Sequence, residues 1–307
     1  MDNNSIAGLK LKPQRQRKRK WVWILLAILA VVGISGVLNQ SKTKLISPLG
    51  KIEEDKSLKG VIKNALVGAK GTYGIAVKNL KTNESYYSNE HKIFEAGSLY
   101  KLWIMATVFK QIQDGKLTED QVLSEDVATL NEKFNIDPDI AELSEGTVTL
   151  TASDALSQMI TISHNYAALL LTEKIKLSSV AAFLKENGLT ESSVGTGGDT
   201  PKSTPFDIAL FYEKLYQGKL ANQQYTKEMI ELLKNQKLDD GLPKYLPDQS
   251  NVANKTGDIG WFKHDAGIVY LDKGDYIIAV MSESDYPSGA QERIALISKA
   301  VYDYFIR

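Results

Sequence analysis

Residues 98–112 read SLYKLWIMATVFKQI. Leu99, Leu102, Trp103, Ala106, Phe109 and Ile112 recur at helical spacing on one broad face, and Gly115 ends the run. A serine thus opens an apolar helix and a lysine follows three residues later. Groups three apart share a face, so the Lys101 amine is placed to reach the Ser98 hydroxyl. Free N–H groups at the helix start favour a developing anion and disfavour a charged amine, and burial acts in the same sense. A neutral Lys101 would then activate Ser98, which is a poor nucleophile without a base. Ser41-Lys42-Thr43-Lys44 has the same spacing, but Pro48 and Gly50 close by deny it a helix.

Outward from this tract the period alternates between strand and helix. Ser57–Lys70 is helical in pattern, Thr72–Asn79 (TYGIAVKN) alternates as a strand, and Glu84–Ser88 is its hairpin partner. Residues 118–220 read mainly as helices, with apolar patterns over Ala152–Ile162, Tyr166–Ile175, Val180–Glu186 and Phe206–Gln217. Short apolar strands return at Asn251–Thr256, Ala266–Leu271 and Tyr276–Ser282, and Ala290–Phe305 is a last amphipathic helix. This order predicts an α/β (α+β) fold: one five-stranded antiparallel sheet built from both chain ends and flanked by helices, with an inserted all-helical lobe. Functional groups would collect in the cleft between sheet and lobe.

Two further clusters lie where such a cleft would form. Ser163-His164-Asn165 interrupts the helical region and offers a hydroxyl and a carboxamide. Lys255-Thr256-Gly257 is predicted at the end of a strand, where a cation and a hydroxyl suit a carboxylate and a glycine permits close approach. Each alone has an ordinary structural explanation as a cap, a turn or a solvated edge. Together, and in this order, the three resemble the S-x-x-K, S-D-N and K-T-G signature of class A β-lactamases and penicillin-binding proteins. Ser203-Thr204-Pro205 resembles the family segment after the Ω loop, and residues 264–269 (HDAGIV) its strand after the K-T-G turn. The resemblance covers about residues 57–307.

The resemblance implies a role for each matching residue. Ser98 is the nucleophile that becomes acylated, Lys101 its base, and Ser163 the relay to the leaving nitrogen. Asn165 orients the substrate amide. Lys255 and Thr256 bind its carboxylate, with Gly257 in the same motif. The backbone N–H groups of Ser98 and Asp258 form the oxyanion hole. The implied partner is a β-lactam or a peptide ending in D-Ala-D-Ala. Two departures stand out. His164 replaces the central aspartate. No E-x-x-L-N motif, whose glutamate activates the deacylating water in class A β-lactamases, occurs between Asn165 and Pro205. Glu191 and Asp199 are the nearby carboxylates, and neither is expected to act as that base. Three functions are therefore carried: a β-lactamase, a D,D-peptidase, and a module acylated once or merely docking cell-wall peptide.

Composition narrows the remaining classes. The 307 residues are 43% hydrophobic and 24% charged, as in globular proteins. The absence of cysteine excludes disulfides and a catalytic thiol. His91, His164 and His264 are isolated, so neither a metal site nor a cofactor is expected. No serine sits in a G-x-S-x-G elbow, and no G-K-[ST] follows Gly195–Gly198.

The net charge of zero hides an asymmetry. Residues 1–20 carry seven cations against Asp2, leaving −6 on the remainder. The following run, WVWILLAILAVVGISGVL at 21–38, is uncharged and near the lower limit for a bilayer span. The reading is a cytoplasmic basic segment (1–20), an uncleaved anchor (21–38), a linker (39–56) and an exported domain (57–307). The basic cluster is thus topological and implies no nucleic-acid partner. A monomer is expected.

Overall fold

A computed structural model describes residues 55–195, 199–247 and 251–307. They fall within one structural unit, Glu53–Arg307. The basic segment, the anchor and most of the linker expected at 1–56 lie outside the described residues. Among the described residues no helix is long and apolar enough to cross a membrane.

Ser57 caps the first helix, α1 (Leu58–Ala65), its hydroxyl accepting from the Gly60 N–H at 3.1 Å. Strands β1 (Thr72–Asn79), β2 (Ser85–Ser88) and β3 (Phe94–Glu95) follow. A 3-10 turn over Gly97–Tyr100 leads into α2 (Lys101–Gln113). The inserted lobe continues with β4 (Val122–Asp126), α3 (Val127–Lys133), β5 (Thr147–Thr151), α4 (Ala152–Thr161), α5 (Asn165–Ile175) and α6 (Leu177–Glu186). Then come β6 (Lys202–Ser203), α7 (Pro205–Tyr216), α8 (Gln223–Lys234), β7 (Val252–Ile259), β8 (Phe262–Val269), β9 (Tyr276–Glu283) and α9 (Pro287–Phe305).

The main sheet has the order β2-β1-β9-β8-β7, and every pair is antiparallel. The N-terminal hairpin therefore pairs with the C-terminal strands, in register from Thr72↔Glu283 to Asn79↔Tyr276. Successive side chains of a strand leave opposite faces. Ile75, Val77, Ile278 and Val280 pack with Ile62 of α1 and Ile294, Ile297 and Val301 of α9. Ala76, Ile277, Ala279 and Met281 belong to the other core, with Phe211 of α7 and Trp103 of α2. Both faces are covered, which is why β1 and β9 read as nearly continuous apolar runs.

Three differences from the sequence expectation bear on the site. The lobe is not all-helical: β4 and β5 form a two-stranded ribbon, because the alternating β-branched run TVTLT at 147–151 pairs with residues 122–126. Helix α2 is buried on every side from Lys101 to Phe109, rather than on one face, so its lysine is taken out of water too. Lys255-Thr256-Gly257 lies in the middle of β7, since the hairpin turns only at Gly260-Trp261.

Candidate active site

The nucleophile turn is held by close packing. Gly97 has φ +48°, and a side-chain carbon there would stand 2.9 Å from the Asp258 backbone nitrogen. Ala96 donates its N–H to the Pro201 carbonyl at 2.8 Å. From the other side Gly257 admits the turn: a Cβ on it would lie 2.9 Å from the Ala96 carbonyl oxygen and 3.0 Å from Leu99. Gly257 thus serves the approach of β7 to this turn. Ser98 is half-buried in a cleft of about 310 Å³, which Tyr100, Glu142, Asn165 and Asp258 also line.

Ser163 sits between α4 and α5 at φ +59°, a left-handed backbone that costs a non-glycine residue roughly 1–2 kcal/mol. The residues on either side hold it there. Lys237 N–H bonds the Thr161 carbonyl at 2.8 Å, and His164 N–H bonds Gln158 O at 3.1 Å. His164 Nδ1 caps α5, accepting from the Ala167 N–H at 3.1 Å. A ring nitrogen here does the capping that an aspartate oxygen would do, so the departure from S-D-N is structural.

Lys101 and Lys255, both fully buried, converge on Ser163. Lys101 Nζ lies 3.1 Å from Ser163 Oγ, 2.5 Å from its carbonyl oxygen and 2.7 Å from Asn165 Oδ1. Lys255 Nζ lies 3.0 Å from Ser163 Oγ and 3.1 Å from the Thr256 carbonyl. Asn165 Nδ2 in turn donates to Glu142 Oε1 at 2.6 Å. A polar chain therefore runs Glu142–Asn165–Lys101–Ser163–Lys255. Lys101 bonds Ser163 and Asn165 rather than Ser98, whose hydroxyl takes no hydrogen bond among the described residues. The hydroxyl of half-buried Thr256 is likewise unengaged among the described residues. Asp258 is exposed, and its side chain is paired with Lys263 across the β7–β8 hairpin.

Burial sets the charges of this cluster. It pulls Lys101 down to about 7, with Lys255 adding to the effect and Glu142 opposing it. It pulls Lys255 to about 7 as well, against the opposing field of Asp265. Two ammonium groups on one hydroxyl repel, so the pair readily gives up one proton. We assign the neutral amine to Lys101, because Asp265 stands behind Lys255.

Asp265 is fully buried and raised to about 7 by that burial, while bonds from Asn254 Nδ2 (2.9 Å) and Leu242 N–H (2.7 Å) favour its anion. His264 is lowered to about 4 by burial and is neutral. Its Nδ1 accepts from the Ser282 N–H at 3.1 Å, so its Nε2–H donates to the Glu95 carbonyl at 2.8 Å. Imidazole here is a strut between β8, β9 and the approach to Ser98.

The structure brings Lys101, Ser163, Asn165 and Lys255 into one hydrogen-bonded group, sets Ser98 and Asp258 along the cleft that Asn165 also lines, and packs Gly257 against the turn that carries Ser98. Sequence reasoning placed neither Asp265 behind Lys255 nor Glu142 beside Asn165. Asp265 carried a signal, a charge inside an apolar strand. Glu142 carried none, since it falls in the aperiodic loop between α3 and β5. The carboxylates that reasoning did weigh are elsewhere. Glu191 is bonded by His91 Nδ1 at 2.9 Å and by the Thr204 hydroxyl at 2.7 Å, and Asp199 is exposed. Among the described residues no three His, Cys, Asp or Glu side chains cluster as a metal site would require.

Known proteins resemble this chain in sequence and in fold. Residues 57–305 match the family described as the beta-lactamase enzyme family. Beta-lactamase BRO-1 of Moraxella catarrhalis is 26% identical over 249 residues, covering 72% of this chain and 75% of that protein. Among solved structures, a β-lactamase from Sphaerobacter thermophilus DSM 20745 superposes with a TM-score of 0.70 at 22% identity, over 81% of this chain and 96% of that one. A mutant of PBP-A, solved as an acyl-enzyme complex with penicillin G, gives 0.70 at 24% identity, over 81% and 96%. These structural likenesses establish the fold.

Proposed function

This chain belongs to the β-lactamase enzyme family, a serine hydrolase by that membership, and we propose that it opens β-lactam amides through an acyl-enzyme on Ser98. The observation that carries this reading is the pair of buried lysines sharing the Ser163 hydroxyl. Neutral Lys101 takes the Ser98 proton as the serine oxygen attacks the amide carbonyl. The carbonyl oxygen becomes an anion facing the Ser98 and Asp258 N–H groups. When the C–N bond breaks, the Ser163 hydroxyl gives its proton to the leaving nitrogen and is reprotonated from a lysine. Lys255 and Thr256 hold the substrate carboxylate by charge-assisted hydrogen bonds, and Asn165 orients the amide. The PBP-A mutant, solved as an acyl-enzyme complex with penicillin G, supports acylation on this fold.

The second reading is a D,D-peptidase on peptidoglycan peptides. It is favoured by one observation: Glu191, in the segment where the family's deacylating glutamate would lie, is occupied by His91 and Thr204. Fluorescent penicillin followed by a chase separates the readings. Loss of label within minutes supports a β-lactamase. Persistence for hours with turnover of D-Ala-D-Ala peptides supports a peptidase, and persistence without peptide turnover supports a binding module. No label on Ser98 overturns both enzymatic readings and leaves only non-covalent docking of cell-wall peptide.

The family domain acts outside the cell as a monomer, held by residues 21–38. The support is the order of charge and hydropathy: seven cations, then eighteen uncharged residues. Membrane fractionation and exposure of the domain to added protease test the tether. A domain released in soluble form overturns it.

A further inference from the structure

The cleft beside Ser98 has an apolar wall and one carboxylate that forms no ion pair among the described residues. Ile136, Ile140, Tyr166 and Leu169 line it, and Ile140 is 77% exposed. Two carboxylates join them, Glu142 and Asp258. Asp258 is neutralised by Lys263. Glu142 forms no ion pair among the described residues; its one bonded partner is the neutral Asn165 amide, at 2.6 Å. It is also exposed, so a ligand in the cleft can reach it.

We propose that Glu142 is a specificity-determining residue that favours acyl groups carrying an ammonium on the carbon next to the amide carbonyl, with an apolar body beyond it. The inference rests on the reading that Asn165 receives the substrate amide. Asn165 Nδ2 is then the donor to the substrate carbonyl, and Glu142 Oε1 already sits on that donor. An acyl group must share or displace the Glu142 contact. One with only a carbonyl to offer leaves the carboxylate without a partner. One with an ammonium three bonds from its carbonyl oxygen gives the displaced carboxylate a charge-assisted hydrogen bond in exchange. The apolar body lies against Ile136, Ile140 and Leu169. Asp258 cannot substitute, since Lys263 has claimed it.

Benzylpenicillin and ampicillin, identical but for that amine, are the probes. Second-order rate constants for acylation of Ser98 are measured by intact mass for the parent and for Glu142→Gln. Glutamine keeps an oxygen for Asn165 Nδ2 and loses the charge. Intrinsic reactivity of the two drugs, and any effect of Glu142 on Lys101, cancel in the ratio of ratios. The ampicillin-to-benzylpenicillin ratio is expected to fall about fivefold in Glu142→Gln, the scale of one partly screened charge pair. Raising ionic strength should compress the ratio in the parent and not in the variant. An unchanged ratio overturns the role of Glu142 while leaving the acylation chemistry standing. Failure of both drugs to acylate Ser98 overturns the underlying reading, and this inference with it.

Discussion

Lys101 and Lys255, 154 positions apart in sequence, meet at a single atom, their nitrogens 3.1 and 3.0 Å from the Ser163 hydroxyl oxygen. Neither is solvated, so burial disfavours a charge on either and each opposes a charge on the other. The useful state of the pair holds one proton: Lys101 neutral to accept from Ser98, Lys255 charged to meet a carboxylate.

That state exists over a limited pH range. Below about 7 Lys101 gains its proton and the base is lost; above the pair's second titration Lys255 loses its proton and the carboxylate site is lost. Acylation of Ser98 should therefore follow a bell with its maximum near neutrality. Stopped-flow or quenched mass spectrometry from about pH 5.5 to about pH 9 checks it. A flat profile would remove the lysine pair from the chemistry.

Asp265 biases that bell. Its charge raises Lys255 and so holds the alkaline limb up. Asp265→Asn should move that limb to lower pH. It should also cost about 1–3 kcal/mol of stability, because Asp265 accepts from both Leu242 N–H and Asn254 Nδ2 and an amide cannot accept from both with both ends. A variant that is destabilised but has an unmoved alkaline limb would make Asp265 a purely structural residue.

Ser163 combines a chemical and a conformational demand, and two substitutions separate them. Ser163→Ala and Ser163→Gly both delete the hydroxyl that joins the lysines, and both should slow acylation by about 10²-fold or more. They should differ in stability. At φ +59° alanine keeps the left-handed penalty and glycine does not, so the glycine variant should be about 1 kcal/mol more stable. Equal melting temperatures would show that the backbone there relaxes freely.

The same backbone logic explains what the sequence could and could not disclose. Strands β1 and β9 were legible because their apolar runs are bounded by turns, and the three motifs were legible as clusters, of which the structure joins Lys101, Ser163 and Lys255 at one hydroxyl. The position of Lys255-Thr256-Gly257 within β7 was not. A glycine after lysine and threonine reads as a turn, whereas Gly257 is small because Ala96 passes within contact of it. Helix α8 (QQYTKEMIELLK) was missed because only Thr226, Met229 and Leu233 of it are buried. Glu142 was invisible for a different reason. Its place depends on how far the α3–β5 loop folds back toward Asn165, and no local pattern encodes that.

Gly257 yields a test of the close approach. Gly257→Ala would put a methyl group 2.9 Å from the Ala96 carbonyl and 3.1 Å from the His264 ring, both fixed by the fold. Overpacking of this kind costs about 1–3 kcal/mol. It should also slow acylation, because the part that must yield is the turn carrying Ser98. Thermal melting and penicillin labelling together check this; wild-type behaviour in both would show that β7 and the turn are not tightly packed.

Glu191 is held away from the chemistry that would resolve an acyl-enzyme. A general base needs an oxygen free to bond the attacking water near the acyl carbonyl. Both Glu191 oxygens are engaged, Oε1 by His91 Nδ1–H and Oε2 by the Thr204 hydroxyl, and Glu191 is not among the residues lining the cleft around Ser98. Glu191→Gln should leave the release rate of a penicillin label within about twofold of the parent. It should lower stability by less than about 1 kcal/mol, as loss of a partly exposed pair does. Tenfold slower release would mean that the loop rearranges after acylation and frees the carboxylate. In that event the β-lactamase reading would gain its deacylating base and the peptidase reading would lose the observation that favours it.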